Sequence, residues 1–218
     1  MAKRFELIIF DWDGTLMDSA ALIVDSVQSA ARDLGLAVPS DERARHIIGL
    51  GLVDALRYAM PDLTPDRYQE AAERYRYHYL ARDHQLSLFE GALDLVAELA
   101  RAEHFLAVAT GKSRVGLNRA FADSGLGSYF RASRCADECH SKPHPQMIEE
   151  LMAEFGVAPH RTLMIGDTVH DLQMAKNAGV EALAVSYGAH PRRQLEAEVP
   201  LHCAASVAEM ASWLRANA

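Results

Sequence analysis

Four short stretches of this chain carry side chains able to do chemistry. The first is Asp11-Trp12-Asp13-Gly14-Thr15, directly after an apolar run. Residues i and i+2 of an extended chain point to the same side, so Asp11 and Asp13 can face one pocket. Two carboxylates held close repel, which raises one pKa or demands a cation. Gly14 lets the chain leave the strand in a conformation other residues resist. The second stretch, Thr110-Gly111-Lys112-Ser113, brings together a hydroxyl, a glycine amide and the start of a helix, which is an anion-binding arrangement. The third is Lys142 in Ser141-Lys142-Pro143-His144-Pro145, where two prolines stiffen the backbone around the lysine. The fourth, Gly166-Asp167-Thr168-Val169-His170-Asp171, puts two carboxylates on one side of a helix that starts near Thr168. Taken singly, each has a blander reading: loop solubilisers, helix caps and a surface lysine. Acidic residues favour a helix N-terminus for dipole reasons alone. Together they combine carboxylates that call for a cation with an anion-binding helix start.

The elements that position these residues can be read from periodicity. Residues 5–10, 104–109, 161–165 and 181–185 are compact apolar runs of the kind that form buried parallel strands. Helical patterns lie between them. Residues 113–124 open on a serine cap and close before Gly125, 144–155 have Pro145 in the first turn and Gly156 beyond the end, and 171–178 precede Gly179. Strands alternating with helices imply right-handed βαβ units, an α/β fold with a doubly wound, Rossmann-like parallel sheet. In such sheets ligands sit at the carboxyl ends of the strands, where the four stretches fall.

Residues 18–87 break the alternation. Ile23, Val24, Val27, Ala31 and Leu34 form a helical stripe ended by Gly35, Ser40 can cap a second helix, and Thr64-Pro65 opens a third. In that third helix Tyr68, Ala72, Tyr75 and Tyr79 share a face, read here as core. The expected organisation is an α/β core of residues 1–17 and 88–218 with an inserted all-helical domain of residues 18–87.

Composition excludes several function classes. A net charge of −8 argues against a nucleic-acid surface, which needs clustered Lys and Arg. No apolar stretch reaches the length of a membrane span or a signal peptide, so a cytoplasmic location without membrane contact is expected. Three cysteines, an odd number, suggest free thiols in a reducing compartment. Cys135, Cys139 and His140 lack a partner pair for zinc and read as thiols around a strand end.

The order and spacing of Asp11/Asp13, Thr110, Lys142 and Asp167/Asp171 resemble the four motifs of the haloacid dehalogenase-like hydrolase superfamily, across essentially the whole chain. The insert after Asp13-Gly14-Thr15-Leu16 is similar to that family's cap domain, and the cap type resembles the phosphoglycolate phosphatase-like branch. The resemblance implies a phosphohydrolase in which Asp11 attacks phosphorus and Asp13 serves as acid and then base. It implies Mg²⁺ held by the Asp11 carboxylate, the Asp13 carbonyl and Asp167, with Asp171 orienting a neighbour. Thr110, the Gly111 amide and Lys142 would hold the phosphoryl group. The implied substrate is a small phosphorylated metabolite, phosphoglycolate first and sugar phosphates next, and the chain is expected to be a monomer or homodimer. Arg45, His46 and Arg57 in the insert are candidate contacts to the leaving group, or plain surface charges.

Alternatives differ in particular residues. A dehalogenase needs neither an acid at position 13 nor a metal, and a phosphonate hydrolase would lack that acid and carry a cap lysine. A phosphomutase keeps the same motifs and stays open. A phospho-receiver also uses clustered Asp, a Thr and a Lys on a parallel sheet, but it is far shorter and has no insert. A non-catalytic phosphate-binding protein is the last alternative, set against the presence of every motif residue.

Overall fold

The computed structural model describes residues 3–218. Six parallel strands form one sheet: β1 (Leu7–Phe10), β2 (Phe105–Thr110), β3 (Ala132–Cys135), β4 (Thr162–Gly166), β5 (Glu181–Val185) and β6 (His202–Ala204), in the order β3-β2-β1-β4-β5-β6. β1 lies at the centre, flanked by β2 and β4, so the strand order reverses on either side of it. That switch point opens a crevice at the carboxyl end of β1.

The run Leu7-Ile8-Ile9-Phe10 is buried on both faces. Ile8 and Phe10 join a core with α5 (Ala92–Arg101), α6 (Arg114–Ser124) and α10 (Val207–Asn217). Leu7 and Ile9 face the opposite core, packed by α7 (Gln146–Phe155) and α8 (Val169–Asn177). α9 (Arg192–Ala197) adds Leu195 to a smaller cluster near β5. A strand buried on both faces must be apolar throughout, which is why these runs were legible as parallel strands.

The helices between Leu16 and Leu88 are α1 (Ala20–Asp33), α2 (Asp41–His46), α3 (Leu52–Ala59) and α4 (Tyr68–Leu80). Ser40 caps α2 through a hydrogen bond from Arg43 N–H, as expected. Val27, Ala31, Leu56, Met60 and Tyr79 close a separate hydrophobic cluster among these helices. The chain leaves and returns through paired segments: the Asp18 amide donates to the Ser87 carbonyl at 3.0 Å and the Phe89 amide to that of Leu16 at 3.0 Å.

Six elements were not read from the sequence: β3, β6, α3, α5, α9 and α10. The strand end expected near Cys135 is that of β3, but the residues of β3 and β6 were not read as strands, because Ala-Ser-Arg-Cys and His-Cys-Ala lack the apolar run that marks a central strand. They are the two edges of the sheet, where one side needs no pairing. α3, which starts after Gly51, was not read from the sequence either. The helix expected from residue 144 begins at Gln146. Among the described residues no helix is long and apolar enough to cross a membrane.

Candidate active site

Asp11 ends the central strand. Its amide donates to the Ile165 carbonyl at 2.9 Å, which continues the β1–β4 ladder one residue past the strand. The side chain is wholly buried. The Lys142 ammonium lies 2.8 Å from Oδ1 as an ion pair, and Oδ2 has no partner among the described residues. Burial pushes Asp11 well above the usual carboxylate range. Asp171 and Asp167 push the same way, and Lys142 opposes them.

Lys142 is held from two sides, donating to Asp171 Oδ1 at 2.6 Å while facing Asp11. Burial alone would lower its pKa, but Asp11 and Asp171 outweigh burial and keep it raised, so the side chain is a fixed cation. The peptide bond to Pro143 is cis. Asp171 is occupied on its other oxygen, where the Thr168 amide and hydroxyl donate to Oδ2 at 3.1 and 2.7 Å, forming a capping box at the start of α8. Capping and the grip on Lys142 are thus two uses of one carboxylate.

Asp167 accepts from the Thr15 hydroxyl at 2.9 Å on Oδ1 and from the Ala189 amide at 2.7 Å on Oδ2. Burial, then the Asp171 charge, raise its pKa to about 7. Gly14 has φ +79°, and a Cβ there would collide with the Asp167 carboxylate, so only glycine lets the first stretch approach the fourth. Asp11, Asp167 and Asp171 bring carboxylate oxygens within 4.8 Å of one another. Among the described residues Lys142 is the one cation paired with this cluster, which leaves buried negative charge that a metal ion would offset.

Asp13 points to a different neighbourhood. Its Oδ1 accepts from the Ser19 hydroxyl at 2.7 Å and lies 3.1 Å from the Lys112 ammonium. Thr110 ends β2, buried, with the Lys112 amide donating to its hydroxyl at 3.2 Å. Gly111 faces the turn before α3: a Cβ there would stand 2.5 Å from the Leu50 carbonyl oxygen and 2.6 Å from that of Gly49. The same turn covers Asp11, since a Cβ on Gly49 would lie 3.8 Å from Asp11 Oδ2. The Gly51 amide anchors it to the Ser141 hydroxyl at 2.8 Å. A strap from the helical insert therefore lies across the mouth of the site.

Of the insert residues singled out in the sequence, Arg45 and His46 line a cleft of about 430 Å³ with Tyr58, His190 and Gln194. Arg57 is turned away, beside Asp54 and the Tyr68 hydroxyl on the surface, and is no part of the site. Thr15, Ser19, Lys112 and the Ala189 amide were not assigned from sequence. Lys112 lay inside the second stretch, and its position next to Gly111 was the available signal.

His46, His170 and His190 bring ring nitrogens within 4.8 Å of one another, the spacing of a metal centre. Their protons oppose that use. The Val169 amide donates to His190 Nδ1 at 3.0 Å, so neutral His190 carries its proton on Nε2, 3.4 Å from the His46 carbonyl. His170 Nε2 donates to the same carbonyl at 2.7 Å. Ligation through His190 needs a lone pair at Nε2, where its ring carries the proton. Burial lowers the pKa of all three, that of His190 to about 4, so they are neutral at pH 7. The trio fixes the backbone of residue 46, three positions before the strap. The cysteines are free, with the Cys139 thiol donating to Glu150 at 3.8 Å.

Comparison with known proteins gives this arrangement a family. "Probable phosphatase IndB" of Dickeya dadantii is 37% identical over 200 residues, covering 89% of this chain and 86% of that protein. A phosphoglycolate phosphatase of Vibrio parahaemolyticus is 30% identical, covering 95% of each chain. A haloacid dehalogenase-like family hydrolase from Streptococcus pneumoniae superposes with a TM-score of 0.82 at 25% identity, over 96% of this chain and 98% of that one. The sequence profile of the haloacid dehalogenase-like hydrolases matches residues 8–185, from the strand that delivers Asp11 to the strand beyond Asp171. The chain belongs to that family and is one of its phosphatases.

Proposed function

We propose that this phosphatase is Mg²⁺-dependent and hydrolyses a small phosphomonoester by transferring the phosphoryl group to Asp11 and then to water. The observation that carries the reading is the state of Asp11: fully buried at the central strand end, one oxygen against Lys142 and the other without a partner. A carboxylate needs no base to become a nucleophile, but it must be ionised. Burial works against that in Asp11, so the site calls for a further cation.

The donor set fits Mg²⁺. It consists of oxygen atoms only, as a hard divalent ion requires, and includes a buried oxygen with no other partner. The Asp11 and Asp167 carboxylates and the Asp13 carbonyl would hold it, while Asp171 is already engaged by Lys142 and Thr168. Bound there, the ion would keep Asp11 ionised and offset negative charge on the phosphoryl oxygens.

The chain's own groups supply the rest. Asp11 attacks phosphorus in line with the leaving oxygen. Lys142 balances charge on Asp11 and the transferring group as a point charge. The Thr110 hydroxyl and the Gly111 amide hold phosphoryl oxygens. Asp13 gives its proton to the leaving oxygen, then takes one from the water that attacks the aspartyl-phosphate. Residues 18–87 act as a cap domain on a core of residues 1–17 and 88–218, hinged at the paired segments near Met17 and Leu88. Closure brings the Gly49–Gly51 strap over Asp11 and excludes water.

A strap this close to Asp11 favours a small substrate, and the net charge of −8 steers polyanions away. Phosphoglycolate is the first candidate, supported by the similarity to the Vibrio enzyme. Asp11→Asn should fold with an unchanged circular dichroism spectrum and lose nearly all phosphate release in Mg²⁺. Retention of a tenth or more of wild-type activity would refute the assignment.

A further inference from the structure

Lys112 belongs neither to the acidic cluster nor to the groups assigned to the phosphoryl oxygens, yet it is buried against Asp13. Its ammonium lies 3.1 Å from Asp13 Oδ1, with the Lys112 side chain only 12% exposed. It also donates to the Tyr79 hydroxyl at 2.9 Å and sits 4.8 Å from the centre of the Tyr79 ring. Tyr79 belongs to α4 of the helical insert, whereas Asp13 and Lys112 lie in the segments that follow β1 and β2. One cation therefore joins the two units at the acid–base carboxylate.

Burying an ammonium costs several kcal/mol unless it is paired. Asp13 and the Tyr79 hydroxyl are the partners that hold the buried ammonium in place. Its contact with Asp13 is also one-sided. Oδ1 receives both the Ser19 hydroxyl, at 2.7 Å, and the Lys112 ammonium, whereas no described residue donates to Oδ2. A carboxyl group pinned through one oxygen presents the other for proton exchange.

We infer that Lys112 is a positioning residue for proton transfer: with Ser19 it fixes Asp13 Oδ1 and leaves Oδ2 to exchange the proton, and through Tyr79 this hold depends on the helical insert being docked. The inference rests on the proposed role of Asp13 as acid and base. In the first half-reaction the proton on Oδ2 passes to the leaving oxygen as its bond to phosphorus breaks and the bond from Asp11 forms. In the second, Oδ2 accepts a proton from the water that displaces Asp11. Lys112 gains and loses nothing in either step. When the insert swings away, Tyr79 leaves Lys112 with one partner fewer, and the hold on Asp13 loosens.

The test is single-turnover phosphoryl transfer in Mg²⁺ from two substrates, an alkyl phosphate that needs a protonated leaving oxygen and p-nitrophenyl phosphate, which does not. Lys112→Met should slow transfer from the alkyl phosphate about 100-fold and from the aryl phosphate less than about 10-fold, the scale of general acid catalysis. Lys112→Arg should restore most of the loss. Tyr79→Phe, which keeps the ring and the ammonium, should show the same selectivity at about a tenth of the size. In an Asp13→Asn background Lys112→Met should add nothing, because its effect passes through Asp13. Equal losses with both substrates, a raised KM with unchanged transfer, or losses that multiply in the double variant would overturn the inference. An unselective Tyr79→Phe would overturn its dependence on docking. Asp13→Asn separates the two layers: if its own loss is unselective, the acid–base reading fails first, whereas a selective Asp13→Asn beside an unselective Lys112→Met sinks only the role of Lys112.

Discussion

The Lys142 ammonium donates to Asp171 at 2.6 Å while standing 2.8 Å from Asp11, with all three side chains sealed from solvent. One lysine thus neutralises part of two buried carboxylates, and the second of these is itself locked by the Thr168 cap. Removing one partner of a buried pair leaves uncompensated charge, which typically costs 3–5 kcal/mol.

Asp171→Ala should therefore destabilise the protein strongly. Lys142 retains Asp11, so the expected cost is at the lower end, about 3 kcal/mol in chemical denaturation. Asp171→Asn keeps an oxygen for Lys142 and should cost clearly less while still lowering kcat. A change of under about 0.5 kcal/mol for Asp171→Ala would show that the pair holds nothing in place.

Stability without metal should depend on pH through Asp167. Its folded pKa, raised to about 7 by burial and then by Asp171, stands above an unfolded value near 3.9. The folded form binds the proton more tightly, so this stabilisation is complete below about pH 4 and is lost as pH rises through about 7. A cation bound to the carboxylates competes with that proton. The rise in melting temperature produced by Mg²⁺ should accordingly be small at pH 5, grow through pH 7 and level off above pH 8. A rise that is the same at every pH, or largest at pH 5, would contradict the reading of the acidic cluster.

Side chains that stand at strand ends were legible in the sequence because each follows an apolar run or starts a helix. Asp11, Thr110, Asp167 and Asp171 are of this kind, and Lys142 is marked by its flanking prolines. Partners that matter through contacts made by folding were not legible. Thr15 reaches Asp167 across 152 positions, and the Ala189 amide is a backbone donor that any residue type would supply. Lys112 was visible but had no stated use until Tyr79 and Asp13 appeared on either side of it. The tyrosine stripe illustrates the limit: its spacing marked a buried face, and burial is what raises the Tyr79 pKa, but its hydroxyl also faces the site. Edge strands β3 and β6 escaped because half-exposed strands lack the continuous apolar run that identifies the centre of a parallel sheet.

The strap is testable at Gly111. A Cβ at this position meets the carbonyls of Gly49 and Leu50, backbone atoms that cannot swing aside. Gly111→Ala should push the strap off the site, lowering kcat/KM at least about tenfold and costing about 1–3 kcal/mol of stability, as overpacking usually does. A variant with wild-type kinetics would mean that the strap is not closed during turnover.

Substrate choice should reside in the cleft lined by Arg45 and His46. Alanine at either position should reorder a panel of small phosphoesters while changing p-nitrophenyl phosphate turnover less than about threefold, since an aryl leaving group makes little use of polar contacts. Arg57→Ala, on the outer surface, should leave the ranking unchanged. An unaltered ranking for Arg45→Ala and His46→Ala, or preferred turnover of a phosphopeptide, would remove the cleft or the small-substrate claim respectively.

The central claim is that the phosphoryl group rests on Asp11 between substrate and water. Acid quenching of wild-type enzyme during turnover in Mg²⁺, followed by peptide mass spectrometry, tests it most directly. A phosphate mass on the peptide containing Asp11, absent from Asp11→Asn and accumulating in a variant slowed in hydrolysis, is the predicted result. Turnover that proceeds normally with no phosphorylated peptide, or with the phosphate on another residue, would contradict the account.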